Sequence, residues 1–236
     1  MHQKGLLTYA LNLIGNLVYI DEVDTGQLCN CYCPSCKEKL VAKNGGMKRV
    51  HHFAHASGVD CENAYETMLH QLAKLRVQEA FLSKEVFNVG FEYRSYCPHV
   101  KTCAFVRYGN CYISTHKRFN LKEFYDSCEQ EIQYDSINRR SDLKIFSSKK
   151  PQLAPIYIEF FVTHASDVSK LHNGGKIIEV KIESENDIQR IVDDGFIESS
   201  KCDSRLLEGI ESENISETTF WGFKSEDYDA KNITQE

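Results

Sequence analysis

Two sets of side chains in this sequence have the types and spacing to do chemistry. The first is a run of cysteines and histidines near the start: Cys29, Cys31, Cys33, Cys36, His51, His52, His55 and Cys61. In Cys33-Pro34-Ser35-Cys36 the two-residue gap lets two thiolates converge on one tetrahedral ion while the loop amides face the sulfurs. The other half of such a site is expected about 12–25 residues downstream. His51, His52, His55 and Cys61 fall in that window. The favoured set is Cys33, Cys36, His52 and Cys61, with His55 competing for the fourth place. Closed by four protein ligands, a zinc here would be structural and would hold together a lobe too small to fold alone. The plainer reading is a set of unrelated thiols and surface histidines. A catalytic zinc would need His51, His52 and His55 to leave a coordination position open, and nothing in the spacing marks one.

A later group, Cys97, His99, Cys103 and Cys111, could close a second tetrahedral zinc site; otherwise it is an inserted hairpin with incidental thiols. Cys128 and Cys202 stand apart and read as small buried or exposed thiols. Ten cysteines, clustered in this way, point to metal rather than to disulfides if the chain resides in a reducing compartment.

The second set is acidic. Asp142 opens the short apolar run Asp142–Phe146, and Glu159 interrupts the apolar run Ile156–Val162. An acid inside a buried strand is costly without a partner. A divalent ion is one such partner, and an ion pair with Arg140 is the other. Acids on adjacent strand ends are rigidly held, and hard ions such as magnesium or manganese take carboxylate oxygens. Glu66, His70 and Lys74 follow at i, i+4 and i+8, along one face of a helix. Alone they would be a solvated stripe with i,i+4 pairing. Beside Asp142 and Glu159, Glu66 becomes a third metal ligand or a base that orients water.

The elements that must position these residues can be traced along the chain. Residues 6–10 and 17–23 alternate as a hairpin around Gly15-Asn16. Leu40–Lys43, a turn at Asn44-Gly45-Gly46 and Arg49 to His55 as the returning strand or its exit give a zinc-ribbon-like layout. From Asn63 to about Leu82 the apolar period is helical. Strands are expected at Phe87–Tyr93, Tyr112–Thr115, Glu131–Tyr134, Asp142–Phe146, Ile156–Val162 and Lys176–Ile182. Helices are expected at Ser166–Leu171 and Asp187–Asp194, and a last strand near Phe220-Trp221-Gly222-Phe223. The pattern predicts an α/β (α+β) fold with a mixed sheet. It divides into a hairpin and zinc module at 1–62, a main domain at 63–198 with a Cys-rich insertion at about 96–112, and an acidic tail at 199–236.

Composition sets the outer bounds. With 236 residues, the chain can bury one good core and a small accessory module. No stretch approaches the roughly 20 apolar residues of a membrane span, and the first residues lack a signal peptide's apolar core, so a cytoplasmic protein is expected. A net charge of −6 argues against a protein that coats nucleic acid, yet permits an enzyme with a local basic groove.

Taken in order, Cys33-Pro34-Ser35-Cys36, Leu40–Lys43, His52–His55, Cys61, Glu66–His70 with Lys74, Arg140–Leu143 and Ile158–Phe160 resemble the competence-protein CoiA-like family. The likeness runs over about residues 5–185. Members of that family are regarded as zinc-bearing nucleases of the PD-(D/E)XK, restriction-endonuclease-like superfamily. The resemblance therefore implies a restriction-endonuclease-like core, with Asp142 and Glu159 as metal-binding acids and Glu66 as the acid of the first helix. It also implies a lysine, sometimes glutamine, two residues after the second acid, where this chain has Phe161. Either the cation has migrated, to Lys74 first and to Lys170 or His164 as alternatives, or catalysis is weakened or lost. The expectation is a magnesium- or manganese-dependent DNA endonuclease acting on incoming or foreign DNA, with one or two structural zincs. Protein partners and a homo-oligomer are left open. The alternative is a non-catalytic zinc-binding module for nucleic acid or protein that kept the fold.

Overall fold

In the computed structural model the described residues are 5–59, 61–96, 99, 102, 112–133, 140–163, 175–198 and 218–223. The first hairpin forms where expected but is shorter. Strand β1 (Tyr9–Leu11) lies antiparallel to β2 (Leu17–Tyr19), with Tyr9 opposite Tyr19. The Asn12 side chain accepts from the N–H groups of Ile14 and Asn16 at 3.1 and 2.9 Å, and Gly15 takes the left-handed conformation that closes the turn. Leu7 leaves the hairpin to bridge Phe53, and Ile20–Glu22 tightens into a 3-10 turn, which explains the lost length.

Strands β3 (Leu40–Lys43) and β4 (His52–His55) form the antiparallel ribbon, with Leu40 opposite His55 and Lys43 opposite His52. Helix α1 (Ala64–Ser83) follows and buries Met68, Leu69, Leu72, Ala73, Val77, Ala80 and Phe81, the stripe expected from the helical period. Strands β5 (Asn88–Tyr96) and β6 (Tyr112–Asn120) are an antiparallel pair. The second strand is longer than Tyr112–Thr115 because its end is held in the core, Phe119 stacking on Phe91 at 5.6 Å. Of the later cysteine group, His99 is exposed, while Cys97, Cys103 and Cys111 lie outside the described residues.

The main sheet has five strands in the order β12-β10-β9-β8-β7. They are β7 (Ser127–Gln133), β8 (Arg140–Phe146), β9 (Ile156–Phe161), β10 (Lys176–Lys181) and β12 (Thr218–Trp221). Strands β7, β8 and β9 run as an antiparallel meander, β10 is parallel to β9, and β12 returns antiparallel to β10. Strand β7 starts four residues before the expected Glu131, whose own φ of 55° breaks the alternation there. Helix α2 (Glu185–Asp194) packs on α1. It opens with a capping box between Ser184 and Asp187 and closes at Gly195, after which β11 (Phe196–Ile197) joins β5 in parallel. The helix expected at Ser166–Leu171 lies outside the described residues, as does most of the acidic tail.

Leu143, Ile145, Ile156, Ile158, Phe160, Ile178 and Val180 join the buried stripe of α1 in one continuous apolar core. Leu7, Ala10, Ile20, Leu40, Ala42 and Phe53 of the first 62 residues belong to the same core. The class is the mixed α/β one expected. No helix of the described residues is long and apolar enough to cross a membrane.

Candidate functional site

The knuckle at Cys33 is built by local hydrogen bonds. The Cys33 N–H donates to the Glu38 carbonyl at 2.8 Å, and the Lys37 N–H donates back to the Cys33 carbonyl at 3.1 Å. Lys37 takes a left-handed conformation to close this turn, and its ammonium caps the Pro34 carbonyl at 2.6 Å. Strand β3 leaves the knuckle directly, so the residue facing its first position is the one delivered to the sulfurs. That residue is His55, opposite Leu40. Cys61 arrives from the turn ahead of α1, where its carbonyl accepts from the Ala64 N–H at 3.2 Å.

The outcome is a four-membered group. Ligand atoms of Cys33, Cys36, His55 and Cys61 all lie within 4.8 Å of one another, with Cys36 Sγ 3.3 Å from His55 Nε2. Around a tetrahedral zinc with Zn–S near 2.3 Å, sulfurs are separated by about 3.8 Å, so this spacing fits the ion. Three sulfurs and one imidazole nitrogen are also the donor set zinc takes. Burial pushes the Cys33 thiol up to about 11. A hydrogen bond from the Ser35 side chain is the main cause holding the Cys61 thiol below its ordinary value.

His52, the histidine favoured from spacing, is not in the group. It faces Lys43, three residues or about 10 Å back along the strand, and its Nδ1 contacts the Val50 carbonyl at 2.9 Å. The three histidines therefore do not share an ion: His51 Nδ1 binds Asp21 at 2.5 Å and its Nε2 the Gly46 carbonyl at 2.8 Å. Cys29 and Cys31 stay outside too, their thiols donating to the carbonyls of Leu40 and Cys29.

The acids gather beside the first turns of α1. Asp142 on β8 is 8% exposed, and its Oδ2 accepts from the Phe160 N–H at 2.8 Å and from His70 Nε2 at 3.0 Å. Helix and neighbouring strand thus hold one carboxylate between them. Glu66, one turn earlier, accepts from the Thr163 hydroxyl at 2.9 Å, which ties the start of α1 to the end of β9. Lys74 is buried and gives its ammonium to Glu131 on β7. Glu159 is 3% exposed. Leu143 faces Ile158, and one further step in that register puts Asp142 level with Glu159.

Sequence reasoning missed a residue here. Glu179 on β10 is the register partner of Glu159 and is 5% exposed. Its signal was present, since an acid inside Ile177-Ile178-Glu179-Val180 is as anomalous as Glu159 inside its own run. Asp142, Glu159 and Glu179 thus occupy one row across three neighbouring strands, oxygen donors of the kind magnesium or manganese takes. The row is looser than the thiol group. Among the described residues, the thiol group is the one set of three or more ligand atoms that lie within 4.8 Å of one another.

Comparison with the curated proteins gave no match, nor did comparison with the solved structures. Residues 20–64 match the family model described as the N-terminal domain of the competence protein CoiA. That stretch contains Cys33, Cys36, His55 and Cys61 and stops where α1 begins, so the similarity is to the N-terminal domain of CoiA and does not reach the acids.

Proposed function

We propose that the chain is a metal-dependent DNA endonuclease of the PD-(D/E)XK type, with a structural zinc in its N-terminal module. The observation that carries the reading is Asp142, nearly buried, gripped by His70 and the Phe160 N–H, and level with Glu159. A pure binding module has little use for carboxylates arranged to repel phosphate. Asp142 and Glu159 would hold magnesium or manganese, with Glu66 beside them, its carboxylate aimed by the Thr163 hydroxyl. Such an ion supplies charge neutralisation at phosphate and a more acidic water. His70 keeps Asp142 in one orientation, and Cys33, Cys36, His55 and Cys61 would hold zinc with no open position, as a structural site requires.

The test is cleavage of plasmid and single-stranded DNA with magnesium or manganese, run beside Asp142→Asn and Glu159→Gln. The parent is expected to cut. Each variant should lose at least about 100-fold in rate while keeping its zinc and its melting temperature. Equal cutting by parent and variants would refute the assignment. The second reading, a zinc-bearing binding module that kept the fold, is favoured by Phe161 at the place where a lysine is expected. DNA binding by the folded, zinc-loaded parent without cleavage in either metal would establish it.

A further inference from the structure

We propose that Lys181 on β10 supplies the cation that Phe161 cannot, an inference that rests on the nuclease reading. Strands β9 and β10 are parallel and in register, with Glu159 paired to Glu179 and Phe161 paired to Lys181. Register partners on neighbouring strands stand about 4.8 Å apart with their side chains on the same face, and residues two apart on one strand share that face. Glu159, Glu179, Phe161 and Lys181 therefore form a rectangle: two acids at one level, a phenylalanine and a lysine at the next. Glu179-Val180-Lys181 repeats on β10 the acid-x-lysine spacing that β9 lacks. The lysine is displaced sideways by one strand and not along the chain direction.

Physical chemistry asks for a cation at this place. Glu159 and Glu179 place two carboxylates at one level, and a phosphate brought beside them needs a positive charge one step along the same face. Lys181 can also meet a substrate. Its side chain is 30% exposed, and its ammonium lies 3.1 Å from the exposed carboxylate of Glu183. An exposed pair of that kind is readily exchanged for a phosphate. Lys74 is placed less well, buried against Glu131 on β7, on the side of Asp142 away from Glu159. In the reaction, the oxygen of water bonds to phosphorus as one phosphorus–oxygen ester bond breaks. The proton lost by the water goes to solvent, and the departing alkoxide takes one from solvent. Lys181 transfers no proton; it offsets the charge that grows on the non-bridging phosphate oxygens.

The test compares Lys181→Ala, Lys181→Met, Lys74→Ala, and Lys181→Ala combined with Phe161→Lys in the full chain, on plasmid DNA with magnesium or manganese. Lys181→Met keeps the stem without the charge and stands in if the alanine variant fails to fold. Loss of the cation is expected to lower the rate at saturating DNA by about 100-fold, with the DNA concentration at half-maximal rate moved far less and the melting temperature held. Returning a lysine at Phe161 should recover about tenfold or more, which a merely structural role for Lys181 would not allow. Parental rates in both Lys181 variants, with Asp142→Asn inactive, would overturn this inference and leave the nuclease standing. A rate lost in Lys74→Ala but kept in the Lys181 variants would overturn it in favour of Lys74. A folded parent that cuts nothing overturns both readings together.

Discussion

At the scale of single residues, the choice between two histidines shows what spacing can and cannot say. His52 and His55 fall in the same downstream window, and only the pairing of β3 with β4 separates them, by setting His55 rather than His52 across from Leu40 beside the knuckle. His55→Ala should therefore reduce bound zinc and lower the melting temperature, because an ion held there would tie the knuckle, β4 and the turn before α1 together. His52→Ala should keep whatever zinc content the parent shows. Metal content measured after dialysis separates the two, and zinc loss in His52→Ala alone would reverse the ligand assignment. The acids teach the same lesson. Asp142 and Glu159 stood out as charges in apolar runs, while Glu179 became visible as their neighbour only when β10 was laid beside β9. Long-range register is absent from local sequence pattern, and a residue's meaning at a site depends on it.

Among the elements, those with a strong period were legible. The apolar stripe of α1, the β8, β9 and β10 runs and the return near Phe220 all appear with small shifts at their ends. Strand β7 was less so, because Glu131 takes a left-handed conformation that interrupts alternation where the strand should have been clearest. The close of α2 carries a prediction. Gly195 has φ of 83°, and a Cβ there would stand 1.9 Å from the Asn88 carbonyl oxygen, a backbone atom that cannot move without breaking the β5–β11 pairing. Gly195→Ala combines a forbidden conformation with that clash and should cost at least about 2 kcal/mol in denaturant unfolding. A midpoint within error of the parent's would show that the turn reorganises freely.

At the scale of the whole molecule, the first 62 residues share one core with the sheet, and α1 packs against β1 on one side and against β7, β8 and β9 on the other. The five-stranded sheet ends in β12 on one side, and that strand arrives from far along the chain to cover β10. A chain cut after residue 217 would leave β10 with an open row of amides and carbonyls, the kind of edge that pairs with other chains. It is expected to self-associate in light scattering at concentrations where the full chain does not, and a monodisperse truncated chain would count against this account of the edge. The same strand carries the only tryptophan of the sequence, Trp221, set opposite Ile177 and two places along from Glu179. The protein thus holds its own optical probe: the colour of its ultraviolet emission reports whether the strand beside the acid row is seated, with no dye or label attached.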